Sequence, residues 1–171
     1  DVGLQQGGFD VRGDTRYDRP IPDMHAALAS ASGVRPSDVA AVGGFASVSG
    51  AAIETTADNA VWESVSLNAV DGGFLEGTTF HLAVRARGYR DDGAVWRALE
   101  TTPGLAVVDS GALVSEPSDL TGRSSFALSR VFLGATTMAP PTVWVRGADG
   151  GQPVKLTVIG VLDPRAAFGS G

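Results

Sequence analysis

The chain has no cysteine, which excludes disulfide bonds and every metal site that needs a thiolate ligand. It also has little positive charge: lysine occurs once, as Lys155, and the net charge is −6 at neutral pH. Nucleic-acid binding is therefore not expected, because a protein that binds the phosphate backbone needs a surplus of lysine and arginine. Long hydrophobic runs are missing as well, since no stretch approaches the roughly 18 consecutive apolar residues that span a bilayer.

The residues that are present indicate a folded chain. Of its 171 residues, 43% are apolar and 19% are charged, a balance that favours a packed core over disorder. The 23 glycines and nine prolines indicate many turns and a β-rich fold. At this length we expect one domain over residues 1–171, or two lobes, an α+β part at about 1–110 and a β-rich part at about 111–171.

Two segments have helical patterns. The stretch PDMHAALASASG predicts a helix near residues 22–32, with Asp23 in its first turn. The stretch RDDGAVWRALETTPG predicts a second helix near residues 92–102, capped by Asp91 or Asp92. Both stretches end at a glycine, which is the usual residue after the last helical turn.

Most of the remaining chain alternates apolar with polar residues or is continuously apolar, as expected for β-strands. The segment LAVVDS is apolar over its first four residues and is predicted to lie in the centre of the sheet. PTVWVRG and PVKLTVIGVL are predicted to form a hairpin, because the residues between them, ADGGQ, are turn formers. The other predicted strands are 9–12, 39–45 with a continuation to Ile53, a strand within 60–74, 80–89 with Phe80, Leu82 and Val84 on one face, and SFALSRVFL at 125–133.

The two halves of the chain repeat one order of elements. Strand FDVRG, a helix and strand VAAVGG are followed later by strand FHLAVRARG, a helix and strand LAVVDS. Each series predicts a β-α-β unit whose helix returns the chain to the same sheet. The predicted fold class is therefore α+β, a mostly antiparallel sheet with two main helices from two β-α-β units and a β-rich C-terminal part.

No set of residues predicts an active site. His25 has no second histidine four residues away, and His81 alternates outward with Arg85 as a solvated strand residue. Acid–base catalysis needs two carboxylates that converge from separate elements, whereas the candidate acids are near neighbours at turns and helix caps: Asp10 with Asp14, and Asp91 with Asp92. We predict no catalytic, cofactor-binding or metal-binding residues, and no enzymatic activity.

The short motifs and the aromatic residues do not predict a functional site either. ADGGQ lacks the acidic ladder of a calcium loop, and GFASVSG fits neither a phosphate loop nor a nucleophile elbow. The tripeptide RGD, residues 12–14, is more simply explained by a glycine that ends a strand. Trp62, Trp96 and Trp144 have two interpretations, a platform that stacks a ligand or the filling of a core or sheet edge, and the second is the more common use of tryptophan.

Three segments resemble one family over nearly the whole chain. PTVWVRGADGGQPVKLTVIGVLD, SVSLNAVDGGF and VWRALETTPGLAVVDSGAL are similar to parts of the extracytoplasmic domain of ABC transporter permeases of the FtsX/MacB type. The resemblance implies a MacB-like periplasmic core domain that lies between two transmembrane helices of a bacterial multi-pass membrane protein. Asp1 would then follow the first of these helices, and the tail PRAAFGSG would lead to the second.

The function that the resemblance implies is mechanical. A cytoplasmic ATP-binding subunit or domain hydrolyses ATP, the flanking transmembrane helices transmit the motion, and the extracytoplasmic domain acts on a cargo or partner outside the membrane. No catalytic residue or cofactor is implied. The resemblance also predicts that FDVRG and KLTVIGVL are neighbouring strands, with Leu156 and Val158 in the core. The alternative is a secreted carbohydrate- or peptide-binding module, in which an exposed sheet carries a tryptophan platform.

Overall fold

The computed structural model describes residues 9, 11, 13, 23–54, 61–115 and 126–166. These residues form three α-helices, seven β-strands and two 3₁₀ turns. The helices are α1 (Met24–Ala29), α2 (Gly72–Gly77) and α3 (Asp92–Thr101), and the 3₁₀ turns are Pro36–Asp38 and Ser110–Ala112. The strands are β1 (Phe45–Ile53), β2 (Glu63–Val70), β3 (Leu82–Ala86), β4 (Leu105–Val108), β5 (Thr137–Met138), β6 (Thr142–Gly147) and β7 (Gly150–Leu162).

All seven strands belong to one sheet. Its order is β2-β1-β6-β7-β3-β5, and β4 pairs with β7 outside that path. The β3–β5 and β4–β7 pairs are parallel, and the others are antiparallel. The fold is therefore α+β with a mostly antiparallel sheet, as the sequence predicts.

The last strand, β7, organises the sheet because it is hydrogen-bonded along both edges. The N–H of Val158 donates to the carbonyl of Pro141, which precedes β6, and the N–H of Thr157 donates to the carbonyl of Gly104, which precedes β4. Successive N–H groups of a strand point to opposite edges, so β6 and β4 lie on opposite sides of β7. Gly160 of β7 pairs with β3 on one edge and with β4 on the other. Because β4 and β6 lie on opposite edges of β7, β3 is on the same edge as β6, and these two strands follow one another along it.

The core is built on the second half of β7. Val158, Ile159 and Val161 are at most 2% exposed, so this part of the strand is covered on both faces. The predicted inward face of β3 is also confirmed, since Phe80, Leu82 and Val84 are buried. Further fully buried side chains come from α3 and from the loops around the sheet, among them Val95, Val114, Leu128 and Val131.

The two predicted helices are confirmed, and both begin at an aspartate cap. The Asp23 carboxylate accepts a hydrogen bond from Ala26 N–H at the start of α1, and the Asp91 carboxylate accepts one from Ala94 N–H at the start of α3. The remaining helix, α2, lies in a segment that the sequence predicts to be the end of a strand. Asp71 caps it by accepting from Phe74 N–H at 2.8 Å, so the chain leaves β2 and turns into a helix at a glycine pair.

Several predicted strands need correction. Residues 39–44 are not a strand, and β1 begins at Phe45. The LAVV strand, β4, pairs with β7 alone among the described strands, so it lies at an edge and not in the centre. Residues 126–133 form no strand beyond an isolated bridge from Val114 to Phe132. Their main chain instead bonds to a neighbouring loop, since Leu128 N–H donates to the Ala112 carbonyl at 2.8 Å.

The predicted β-α-β repeat holds only for its second copy. β3, α3 and β4 occur in that order and return to the same sheet, but β3 is antiparallel to β7 whereas β4 is parallel to it. The two strands therefore run in opposite directions with β7 between them. In the first copy, VAAVGG is not a strand, because β1 begins only at the residue after it.

The predicted pairing of FDVRG with the last strand is not found among the described residues. Phe9 and Val11 are not in a strand, and Asp10 and Arg12 lie outside the described residues. Phe9 stacks on Phe74 of α2 with the ring centroids 5.5 Å apart. The stretch of β7 from residue 157 to residue 161 is already bonded on both edges, so it has no place for another strand. The predicted core position of Val158 is confirmed, and Leu156 is partly buried against the core.

Candidate functional site

Five charged or polar residues lie where β3 and the start of α3 border the end of β7. We call them the β7-end cluster: His81, Arg85, Asp92, Asp163 and Arg165. His81 precedes β3, Arg85 lies on it, Asp92 is the first residue of α3, and the two C-terminal members come directly after β7. The main chain joins the two sides, because Asp163 N–H donates to the His81 carbonyl at 2.9 Å.

Asp92 is the centre of one half of the cluster. Its Oδ1 accepts a hydrogen bond from Arg85 Nη1 at 2.8 Å, and its Oδ2 accepts one from Leu82 N–H at 3.1 Å. His81 Nδ1 lies 3.5 Å from the same Oδ2. One carboxylate thus joins the first turn of α3 to the start of β3, at a side chain that is 22% exposed.

Asp163 and Arg165 form the other half. Arg165 Nε and Nη2 donate to the two oxygens of Asp163 at 2.9 and 3.0 Å, and the Arg165 N–H donates to Oδ1 at 2.9 Å. A bidentate arginine–carboxylate pair has a defined geometry, unlike a single surface ion pair. The pair holds the chain in a turn directly after β7, and Ala166 N–H closes that turn on the Asp163 carbonyl.

Both aspartates have lowered pKa values. Burial alone would raise the pKa of Asp92, but the hydrogen bonds from Leu82 N–H, Arg85 and His81 together outweigh it. The hydrogen bond from the Arg165 side chain is the main reason that the pKa of Asp163 falls to about 2. Both carboxylates are therefore ionised at neutral pH, so neither is a general acid there. The cluster connects β3, the start of α3 and the end of β7, so its role is to stabilise the fold.

The cluster predicts a loss of stability in acid. A carboxylate whose folded pKa is lowered stabilises the fold above its unfolded pKa of about 3.9, and this contribution disappears as the pH falls toward the folded value. We expect Asp92→Asn to lower the free energy of unfolding by about 1–2 kcal/mol at pH 7, because the Arg85 side chain loses its charged acceptor. The loss should shrink as the pH falls below the unfolded pKa toward the lowered folded pKa of Asp92, where the wild-type carboxylate becomes protonated as well.

Chemical denaturation of wild type and variant across this pH range measures the difference. Asp149→Asn removes the same charge from the exposed turn between β6 and β7, and we expect it to change stability by less than about 0.5 kcal/mol. A loss for Asp92→Asn that does not shrink anywhere below the unfolded pKa would show that the carboxylate charge is not what stabilises the cluster.

The other residues that the sequence singled out lie apart from one another. His25 of α1 borders a shallow cavity of about 70 Å³ with Leu28, Val34 and Val39, far smaller than the roughly 300–1,000 Å³ of ligand pockets. Asp91 caps α3 and pairs with Arg90 at 2.9 Å. Asp10 and Asp14 lie outside the described residues.

The three tryptophans are half-buried. Arg146 of β6 lies over the ring of Trp62 at 4.1 Å, so one face of that ring is already occupied by a cation–π contact. Trp96 of α3 packs against the core. Trp144 lies on β6, opposite Ile53 of β1.

Sequence reasoning did not find the β7-end cluster. It treated His81 and Arg85 as solvated and Asp92 as a possible cap, and it gave no role to Asp163 or Arg165. The available signals were the aspartate at the first position of α3 and the D-P-R turn after an apolar strand. His81 is exposed as predicted, at 71% of its side chain, but its ring also reaches Asp92.

Within the described ranges, His, Asp and Glu side chains nowhere gather in a group of three or more that could hold a metal ion. In the same ranges no helix combines the length and the apolar character needed to cross a membrane. The expectation that the chain binds no metal stays a prediction. No protein-family model matches the chain, and no curated protein or solved structure is significantly similar to it.

Proposed function

We propose that this chain is the extracytoplasmic domain of an ABC transporter permease of the FtsX/MacB type, with a MacB-like periplasmic core. In this proposal the domain lies at the outer face of a bacterial membrane between two transmembrane helices of the same permease. It catalyses no reaction itself. It couples the motion of those helices, driven by a cytoplasmic ATP-binding subunit or domain, to the handling of a cargo or partner outside the membrane.

The segments that carry the resemblance occupy structurally important places, which supports the proposal. PTVWVRGADGGQPVKLTVIGVLD forms the β6–β7 hairpin, and SVSLNAVDGGF forms β2 and the start of α2. VWRALETTPGLAVVDSGAL runs through α3, β4 and the 3₁₀ turn after it. The resemblance therefore covers both β7 and its parallel partner β4.

One observation supports the mechanical interpretation: the end of β7 is buried and hydrogen-bonded on both edges. The strand is 13 residues long and pairs with β6, β3 and β4. Its last residues are buried, and the turn after it is held by Asp163 and Arg165. A load applied at this end is distributed over three strands, and the β7-end cluster also connects it to α3.

This connection gives the coupling a physical form. Packed strands with hydrogen bonds on both edges move together, because separating them would break buried bonds. A small shift of a helix joined to the end of β7 would therefore turn the whole domain as a rigid body. The β1–β2 part of the sheet, which lies at one end of the strand order, would undergo the largest displacement and would be the part that meets cargo or partner.

Membrane topology tests the proposal. The chain has no cysteine, so Ser49→Cys in the full-length parent protein places one thiol of this domain on the exposed part of β1. We expect a membrane-impermeant maleimide to label this thiol in intact cells, and the labelled protein to stay in the membrane after alkaline washing. A parent with its own cysteines is first made cysteine-free outside the domain.

The other outcomes separate the alternatives. Labelled protein that is released by alkali, or found in the medium, would favour the secreted carbohydrate- or peptide-binding module. Labelling only after cell lysis would refute an extracytoplasmic location and with it both interpretations. An assay of the full-length transporter then tests coupling: Val158→Ala should reduce transport while the same full-length transporter still hydrolyses ATP.

A further inference from the structure

The outer edge of β2 is a long, regular strand edge. β2 is the outermost strand at one end of the sheet order, and no described strand pairs with its edge that faces away from β1. Its eight residues pair with β1 from Phe45↔Val70 to Ala52↔Glu63 without a register shift, so no bulge twists the edge away.

The backbone groups on this edge can be assigned from one hydrogen bond. Asp71 N–H donates to the Gly44 carbonyl, so this pair is of the hydrogen-bonded type. In an antiparallel ladder every second residue bonds to the same neighbour, so the residues in between direct their N–H and C=O groups outward. These are Ser64, Ser66, Asn68 and Val70, of which the first three are exposed and Val70 is half-buried.

The edge lacks the devices that keep strands from pairing with other chains. Natural edge strands carry lysine, proline, a bulge or an inward-pointing charge. β2 reads ESVSLNAV, in which the single charge, Glu63, is at the first position. The polar side chains between the apolar ones are small and uncharged, so another strand can approach without desolvating a charge.

We propose that β2 pairs antiparallel with β2 of a second copy of this chain, in the register that places Ser66 opposite its own counterpart. Ser64 then lies opposite Asn68 of the other copy, and these hydroxyl and amide groups can bond across the two-fold axis. On the other face Val65 lies opposite Leu67 of the other copy. Both are only half-buried in the single chain, so the pairing removes more apolar surface from water.

The charges of the strand are compatible with this register. Glu63 lies opposite Ala69 of the second copy, so no two like charges meet directly. The result is one continuous sheet of two copies with a closed two-fold interface. A single strand–strand contact is smaller than a stable interface of about 1,200–2,000 Å², so the pairing depends on protein concentration. The inference does not depend on the proposed function, because it uses only the geometry of β2.

A single cysteine tests the register. Ser66→Cys introduces the only thiol of the chain, and its counterpart would be a directly opposite, hydrogen-bonded neighbour at a Cα–Cα distance of about 5.5 Å, within disulfide range. Under mild oxidation we expect most of the purified chain to form a disulfide-linked dimer. Ser49→Cys is the matched control, because Ser49 of β1 pairs with Ser66 and is also exposed. Its counterpart would be three strand spacings away, about 14 Å, and should crosslink far less.

A charge at the same two positions tests the interface without oxidation. Ser66→Lys places two ammonium groups opposite each other, and we expect it to raise the dimer dissociation constant about fivefold or more in sedimentation velocity. Ser49→Lys adds the same charge on the same face, away from the axis, and should change the constant less than about twofold. Wild-type chain that stays monomeric up to about 1 mM, or equal crosslinking of the two cysteine variants, would overturn the proposal.

Discussion

Replacing Gly73 by alanine should lower the free energy of unfolding by about 2 kcal/mol, although alanine is the better helix former. A Cβ at Gly73 would overlap the carbonyl oxygen of Val42. The next residue, Gly43, also lies against α2, because a Cβ there would be 2.5 Å from the Cα of Phe74. The obstacle is main chain, so no side-chain rotation relieves it. The chain before β1 must move away from α2, which loosens Phe74 in the core.

The matched control is Gly93→Ala. Gly73 and Gly93 each stand two residues after an aspartate cap, Asp71 and Asp91, in α2 and α3. A Cβ at Gly93 meets only side-chain atoms, the nearest being the flexible end of Arg97 at 3.4 Å, so alanine there should raise stability by about 0.5–1 kcal/mol. Chemical denaturation followed by tryptophan fluorescence measures both variants. If the two substitutions change stability in the same direction, the close approach of residues 42–43 to α2 is wrong.

Truncating Val158 to alanine should cost about 2–3 kcal/mol. Its side chain is 0% exposed, and the strand around it is hydrogen-bonded on both edges, so the neighbours cannot collapse into the space that two methyl groups leave. The loss combines the transfer free energy of these methyl groups with the cost of the cavity. This is the position where the proposed load path enters the core, so its packing also matters for coupling.

Val154→Ala is the control on the same strand. Val154 is 55% exposed, and its truncation should change the free energy of unfolding by less than about 0.5 kcal/mol. The pair of variants therefore separates burial from the identity of the residue and from strand propensity. Similar losses for both valines would mean that the second half of β7 is not the centre of the core.

Helix caps and turn residues were sufficient to predict the helices and the hairpin that contain them. The caps Asp23 and Asp91 begin α1 and α3, and the ADGGQ turn joins β6 to β7, because caps and turns depend on a few neighbouring residues. Alternation was sufficient for the buried face of β3. The same local reasoning failed at α2, where the sequence predicts the end of a strand but Asp71 and the packing of Phe74 stabilise a short helix.

An apolar segment alone does not reveal what it pairs with. LAVV is apolar like a central strand, yet as β4 it is half-buried at one edge of β7. The segment 126–133 contains fully buried Leu128 and Val131 but bonds to a loop instead of a strand. Burial of a side chain and hydrogen bonding of its main chain are separate requirements, and only the first leaves a clear trace in the pattern of apolar residues.

The sequence by itself determined the α+β class, the mostly antiparallel sheet, the two capped helices and the terminal hairpin, because all of these result from periodicity, caps and turn residues close together in the chain. Only the tertiary structure decided that β7 is bonded on both edges, that no described strand pairs with the outer edge of β2, and that His81 joins Asp92 through its ring and Asp163 through its main chain. These features depend on which strand edges pair across long separations in sequence. That choice is made by the packing of the whole sheet and not by any one segment.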